Sequence, residues 1–308
     1  MDRPFIEQVR SFNRAVTLRT GALDDSYLGR GRPLGQARLL FEIGSEGSDI
    51  RSLRERLGLD SGYASRLLKS LEADGLIAIE SDAGDRRRRL VTLTAKGLSE
   101  RGAYDALSDD LAQSLLDALS GTQRGRLVAA MAEVERLMNA AAVVIAAEPE
   151  ESRDARHCVA AYYKELDERF DGGFDPGNGG YAGKPATADA SGTFLIARLH
   201  GRAIGCGALK PIDASTGEIK RMWVAPEARG LGVARRLLEA LEDEASRSGF
   251  GRVILDTNRS LAEAQALYRN AGYRARERYN DNPYADFWFE KVLEPRAPYL
   301  GKSSPISR

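Results

Sequence analysis

The stretch Val224-Ala-Pro-Glu-Ala-Arg-Gly-Leu-Gly-Val-Ala-Arg-Arg-Leu-Leu238 constrains the fold more than any other part of the chain. It leaves an apolar segment, Glu218-Ile-Lys-Arg-Met-Trp-Val224, that reads as a strand, turns at Pro226, and enters a helix through Arg229-Gly-Leu-Gly-Val-Ala234. Glycines at a strand-to-helix turn let the backbone come close to a ligand, and the first amides of a helix have no internal partners. With the partial positive charge of the helix N-terminus, such a turn cradles an anion and suits a pyrophosphate. A Gly-rich helix start can also be no more than a tight packing contact, so the flanking elements decide.

Two familiar phosphate loops do not fit. The Walker pattern needs Gly-Lys-Ser/Thr, which does not follow Gly232, and the dinucleotide fingerprint needs a further Gly or Ala and a later acidic residue that are not in place. The form Arg229-x-x-Gly232-x-Ala234 after a strand ending in Val-x-Pro resembles the acetyl-coenzyme A loop of the Gcn5-related N-acetyltransferases (GNAT). A second hallmark is Ala264-Gln-Ala-Leu-Tyr268 followed by Gly272-Tyr273. The resemblance covers about 142–292. It implies an α+β domain with a central mixed, mostly antiparallel sheet. It also implies acetyl-coenzyme A as cosubstrate and direct transfer to an amine, without a covalent enzyme intermediate.

The same resemblance implies roles for single residues. Backbone groups of Trp223 and Val224 would hold the pantetheine and the acetyl carbonyl. The run Arg229, Gly230, Leu231, Gly232, Val233, Ala234 and Arg235 would hold the pyrophosphate. Tyr268 would protonate the departing sulfur, and Glu218 would be the general base; the plain alternatives are a packed aromatic and a solvated strand-edge carboxylate. One departure is visible: Leu261 stands where the family often has Asn seven residues before the Tyr, which makes Asn258 the candidate for the missing contacts. Cys206, between Gly205 and Gly207, reads as a buried strand residue rather than a nucleophile.

Around these motifs the periodicity predicts a strand over 142–147, a helix over 152–170, and strands over 192–199 and 203–210. A helix reaching 249, a strand over 252–257, a helix over 261–271 and a strand over 284–291 complete the half. The Gly-rich segment 171–183 reads either as a surface loop or as an acceptor-binding lid. That loop, the segment 279–284 and Arg221 suit a small amine, an amino acid among the candidates, because Arg pairs well with a carboxylate. A protein lysine and an aminoglycoside stay open.

The N-terminal half has a different pattern. Apolar Phe5, Ile6, Val9, Phe12 and Val16 predict a helix over 4–19, and a short helix follows over 34–43. Asp49 can cap a helix carrying Ile50, Leu53 and Leu57, Gly58 breaks it, and a second helix begins near Asp60 with Ala64, Leu67, Leu68 and Leu71 on one face. Its other face carries Ser61, Tyr63, Ser65, Arg66 and Lys69, donors that reach bases and phosphates in a major groove. Strands over 76–80 and 88–94 follow, joined at a tip with Arg86, Arg87, Arg88 and Arg89. A β-ribbon with such a tip grips the phosphate backbone. The combination, with Asp85-x-Arg87, Leu93-Thr94 and Gly97, resembles the MarR family of transcriptional regulators over about 4–139. Two long helices over 95–119 and 122–140 complete the match, which implies a homodimer on a pseudo-palindromic site in double-stranded DNA.

The fold expected is therefore multidomain: a mainly α winged helix-turn-helix domain over 1–140, a GNAT domain over 141–295 and a tail over 296–308. No Pro/Gly/Ser linker separates the first two, so close coupling is expected. Of 45 Lys+Arg and 45 Asp+Glu, 21 of each fall before residue 146. Neither half is basic, and DNA affinity has to rest on the local patch at Arg66, Lys69 and Arg86 to Arg89. With 2 Cys and 2 His, no disulfide framework and no metal site are expected. The absence of a long apolar run predicts a cytoplasmic protein. Function then has two readings: a transcriptional regulator that is also an N-acetyltransferase, or a regulator that only senses a ligand or acetyl-coenzyme A.

Overall fold

The computed structural model describes residues 2–81, 89–177 and 192–294. The wing-tip residues Arg86, Arg87 and Arg88, the Gly-rich segment from 178 onward and the C-terminal tail lie outside the described residues. The chain divides into two compact units, Met1–Ala132 and Glu133–Arg308.

In the first unit, α1 (Arg3–Arg19) and α2 (Leu34–Ile43) precede a two-residue strand, β1 (Ser48–Asp49). Then come α3 (Ile50–Leu57) and α4 (Ser61–Ala73). Local chemistry sets these boundaries. The Asp49 carboxylate accepts the Ser52 N–H at 2.9 Å, and that of Asp60 accepts the Tyr63 N–H at 2.8 Å. Between them Gly58 ends α3 with φ 63°, a left-handed conformation that costs glycine little. Next, β2 (Ile77–Ser81) pairs antiparallel with β3 (Arg89–Leu93), and β1 adds to the far edge of β3, a pairing too short to show in the sequence. Two long helices follow, α5 (Ala95–Asp117) and α6 (Gly121–Ala142). Leu39, Leu40, Leu53, Leu67, Leu71, Leu76 and Val91 form the core. The apolar face of α1 is exposed, and among the described residues none of α6 is buried.

The second unit is a sheet with order β4-β5-β6-β7-β8-β10-β9. The helix α6 runs to Ala142, so β4 (Val144–Ala147) starts later than the sequence suggested. Ser152 caps α7 (Arg153–Arg169), accepting the Ala155 N–H at 3.1 Å. The hairpin of β5 (Thr193–Leu199) and β6 (Arg202–Pro211) leads to β7 (Thr216–Val224). Then come α8 (Val233–Arg247), β8 (Arg252–Thr257) and α9 (Ala262–Asn270). The two-residue β9 (Arg274–Ala275) and β10 (Phe287–Val292) end the sheet. Residues 284–286, expected at the start of the last strand, form a turn that precedes it. The pairing of β7 with β8 is parallel and the other described pairings are antiparallel. Ile196, Cys206, Leu237, Leu241, Val253 and Phe289 anchor its core.

Candidate active site and nucleic-acid interface

In the second unit, β7 and β8 pair across Thr216–Glu218 and Arg252–Ile254. Against β6 the register of β7 shifts: Trp223 faces Cys206 and Lys220 faces Ala208, so Arg221 and Met222 together oppose Gly207. Arg221 takes φ 57° at this bulge, a strained conformation for a residue with a Cβ. Past it, β7 continues to Trp223 and Val224 and the chain turns through Pro226–Ala228 into the glycine loop.

Gly230 and Gly232 have φ 80° and 74°, and a Cβ at either would point into open space. Backbone conformation, not crowding, is what calls for glycine there. Gly232 is the N-cap of α8 and offers no side-chain acceptor, so the first amides of that helix keep their donors for another group. They open onto a cavity of about 470 Å³ walled by Trp223, Val224, Arg229, Gly230, Gly232, Val233, Ala234, Arg235 and Tyr268. Size and donor set fit a nucleotide thioester with a pyrophosphate. Leu231 is half-buried against the core instead of lining this cavity.

A smaller cavity of about 50 Å³ shares Tyr268 with the larger one. Tyr268, Leu261, Ala264, Met222, Tyr162 and Leu166 line both, so the two spaces meet. Tyr268 is buried, and burial, helped by the nearby Asp256 carboxylate, pushes its phenol above the ordinary tyrosine pKa. It therefore stays protonated and can donate a hydrogen bond. Asn258 lines the smaller cavity only; its Nδ2 donates to Tyr284 O at 2.7 Å and its Oδ1 accepts from Ser260 N at 2.9 Å. It shapes the entry to α9.

Glu218 lines neither cavity. It is 4% exposed, accepts the Tyr279 hydroxyl at 2.8 Å and pairs with Lys220 at 3.2 Å, which replaces the expected solvated alternative. The sequence did not reveal Glu165 on α7. Its carboxylate accepts Trp223 Nε1–H at 2.9 Å and pairs with Arg229 at 2.5 Å and Arg169 at 3.2 Å, tying the loop and strand to that helix. Its only signal in sequence is the i,i+4 spacing with Arg169.

In the first unit, Ser61, Tyr63, Ser65, Arg66 and Lys69 are all exposed along one side of α4, while Ala64, Leu67, Leu68 and Leu71 are buried on the other. The guanidinium of Arg66 sits 5.7 Å from the centre of the Tyr63 ring. Arg89, at the described end of the wing, is exposed as well.

Comparison with known proteins gives the same division. The model of the acetyltransferase (GNAT) family matches residues 153–273, and that of the MarR family matches 30–88. An IAA acetyltransferase of Azospirillum brasilense is 45% identical over 84 residues, 27% of this chain and 55% of that protein. The HTH-type transcriptional regulator TtmR of Methylorubrum extorquens (strain PA1) is 40% identical over 62 residues, 20% of this chain and 32% of its own length. Among solved structures, a putative acyl-CoA N-acyltransferase from Klebsiella pneumoniae superimposes with a TM-score of 0.40 at 26% identity, covering 49% of this chain and 98% of that one. The chain spans about half the length of the first curated acetyltransferases it matches. Strand, glycine loop and Tyr-bearing helix in one half, and capped helix pair with wing in the other, make this chain a MarR-family segment followed by a segment of the acetyltransferase (GNAT) family.

Proposed function

We propose that the chain is a transcriptional regulator that is also an acetyl-coenzyme A-dependent N-acetyltransferase acting on a small amine. The observation that carries the catalytic half is the meeting of a large, amide-lined cavity and a small polar one at Tyr268. The bound cosubstrate would supply an activated acetyl carbonyl and a thiolate leaving group. The amides of Gly232 to Arg235 would hold its pyrophosphate, helped by Arg229 once its pair with Glu165 yields. Backbone groups of Trp223 and Val224 would align the carbonyl. The acceptor nitrogen, entering from the smaller cavity as a free amine, attacks the carbonyl carbon directly. As the carbon–sulfur bond breaks, the nitrogen would lose its extra proton to solvent water, and Tyr268 would give its phenolic proton to the departing thiolate and recover one from solvent. Glu218, already engaged, fits a supporting position behind the strand better than direct contact with the amine.

For the regulatory half, the exposed donors of α4 support entry into a major groove, with Arg86, Arg87 and Arg88 as wing contacts. The exposed apolar residues Phe5, Val9 and Phe12 of α1 and Val128 and Met131 of α6 support a homodimer that covers them and reads a pseudo-palindromic operator. Release of coenzyme A thiol from acetyl-coenzyme A across a panel of amino acids, arylalkylamines, polyamines and aminoglycosides tests the enzyme. Turnover of one class supports the reading. Silence across the panel with tight acetyl-coenzyme A binding would leave a ligand-sensing regulator in its place.

A further inference from the structure

The smaller cavity has an unusual charge pattern for its size. At about 50 Å³ it has room for roughly four water-sized groups at about 10–15 Å³ each, yet its wall includes three charged residues: Lys220, paired with Glu218, Arg221, paired with Glu150, and Asp256. Arg221 comes from the bulge of β7 with its strained φ of 57°, and Asp256 comes from the neighbouring strand β8. Among the described residues the partner of the Arg221 guanidinium is Glu150, reached through Nη1. The fork carries five N–H donors, more than one carboxylate uses. Burial draws its pKa below the ordinary arginine value, so a second anion beside it is favoured. Asp256 accepts Asn280 Nδ2–H at 2.5 Å and Asn282 Nδ2–H at 3.0 Å, which fixes the carboxylate and leaves acceptor sites for a further donor. Past these groups the cavity is walled by the rings of Phe170 and Tyr284, with centroids 5.8 Å apart.

We infer that this cavity takes a free α-amino acid with an apolar side chain as acetyl acceptor, its carboxylate on Arg221 and Lys220, its amino group on Asp256 and its side chain against Phe170 and Tyr284. This rests on the acetyltransferase reading above. The volume matches the polar end of one amino acid, its amine nitrogen, α-carbon and carboxylate. A polyamine, an aminoglycoside or a protein lysine would bring no carboxylate to the donors that the Arg221 fork keeps beyond its pair with Glu150. Arg221 lies in β7 past the end of its pairing with β8 at Glu218, beside Met222, which lines both cavities.

The test compares L-phenylalanine, L-phenylalanine methyl ester and phenethylamine, which share a ring and an amine and differ in the carboxylate. The full-length wild-type protein is expected to prefer the free acid in kcat/KM by at least about tenfold, since groups built to pair with a carboxylate reject its absence. Equal rates, or faster acetylation of phenethylamine, would overturn the inference. The variant Arg221→Gly, which takes a positive φ without strain, should shrink the acid-to-amine ratio to within about threefold. An unchanged ratio in a variant that still binds acetyl-coenzyme A removes Arg221 from the role. Calorimetric binding of the same three compounds separates this inference from the reading it rests on. Selective binding of phenylalanine without turnover would keep the pocket and overturn the enzyme; turnover without that selectivity would do the reverse.

Discussion

Tyr268 lines both cavities, and its burial keeps the phenol protonated through the neutral range. Replacing it with phenylalanine removes one hydroxyl and little packing, since the ring lies between Tyr273 and Phe289, with centroids 5.8 and 6.1 Å away. Tyr268→Phe is expected to lower kcat by about 100-fold, the low end for a lost proton donor, with acetyl-coenzyme A affinity nearly unchanged. Equal kcat values would remove Tyr268 from that part. Glu100 permits a second prediction. Its side chain bonds Arg30 and lies 3.0 Å from Arg32, and the Arg30 hydrogen bond holds its carboxyl below the ordinary pKa. A carboxyl depressed on folding stabilises above its unfolded pKa, about 4.3, and loses that contribution as pH falls through the lower folded value. The denaturation midpoint of wild type should therefore exceed that of Glu100→Gln at pH 6, with the gap narrowing as the pH falls through the depressed folded value. A gap that stays constant with pH would assign the effect to packing. Tyr268, Gly230 and Gly232 were legible because their neighbours in sequence form the pattern. Glu165, Asp256 and Glu100 were not, because their partners Trp223, Asn282 and Arg30 lie 58, 26 and 70 positions away.

Among the elements, Asp49, Asp60, Thr94 and Ser152 each accept an amide three residues on and mark where a helix starts, while α1 and α2 were as readable without a side-chain cap. The pairs β1 and β9 are two residues long and exist only because β3 and β10 lie beside them, so no local pattern marks them. The apolar faces of α1 and α6 were legible as helices but not as exposed surfaces, since burial depends on what packs there. One helix permits a sharp comparison. In α5, a Cβ on Gly97 would meet the Leu76 carbonyl oxygen at 1.9 Å, whereas one on Gly102 would meet nothing within 4 Å. Alanine normally gains about 1 kcal/mol over glycine inside a helix. Gly102→Ala should therefore raise stability by up to about 1 kcal/mol, while Gly97→Ala should lower it by about 2 kcal/mol as the wing strand is pushed off the helix. Two substitutions of the same sign would mean that the contact between Gly97 and Leu76 relaxes at little cost.

Across the whole molecule, acidic and basic residues balance at 45 each, so no general field attracts DNA. Binding has to come from a few exposed cations. If Arg66 and Lys69 both reach phosphates, replacing both by alanine should lower operator affinity and flatten the slope of log K against log salt by about 2, since each lost phosphate contact removes about 0.9. An unchanged slope would assign these side chains to base edges or to solvent. The two cysteines of the chain bear on the same molecule from another side. Cys158 and Cys206 are both wholly buried free thiols, and both belong to the C-terminal unit. A thiol reagent added to the native protein should then react no faster than that unit opens, which turns labelling into a clock for its unfolding that leaves the N-terminal unit unread. It also means that a colorimetric thiol assay on the folded protein would record any coenzyme released from acetyl-coenzyme A without background from Cys158 or Cys206.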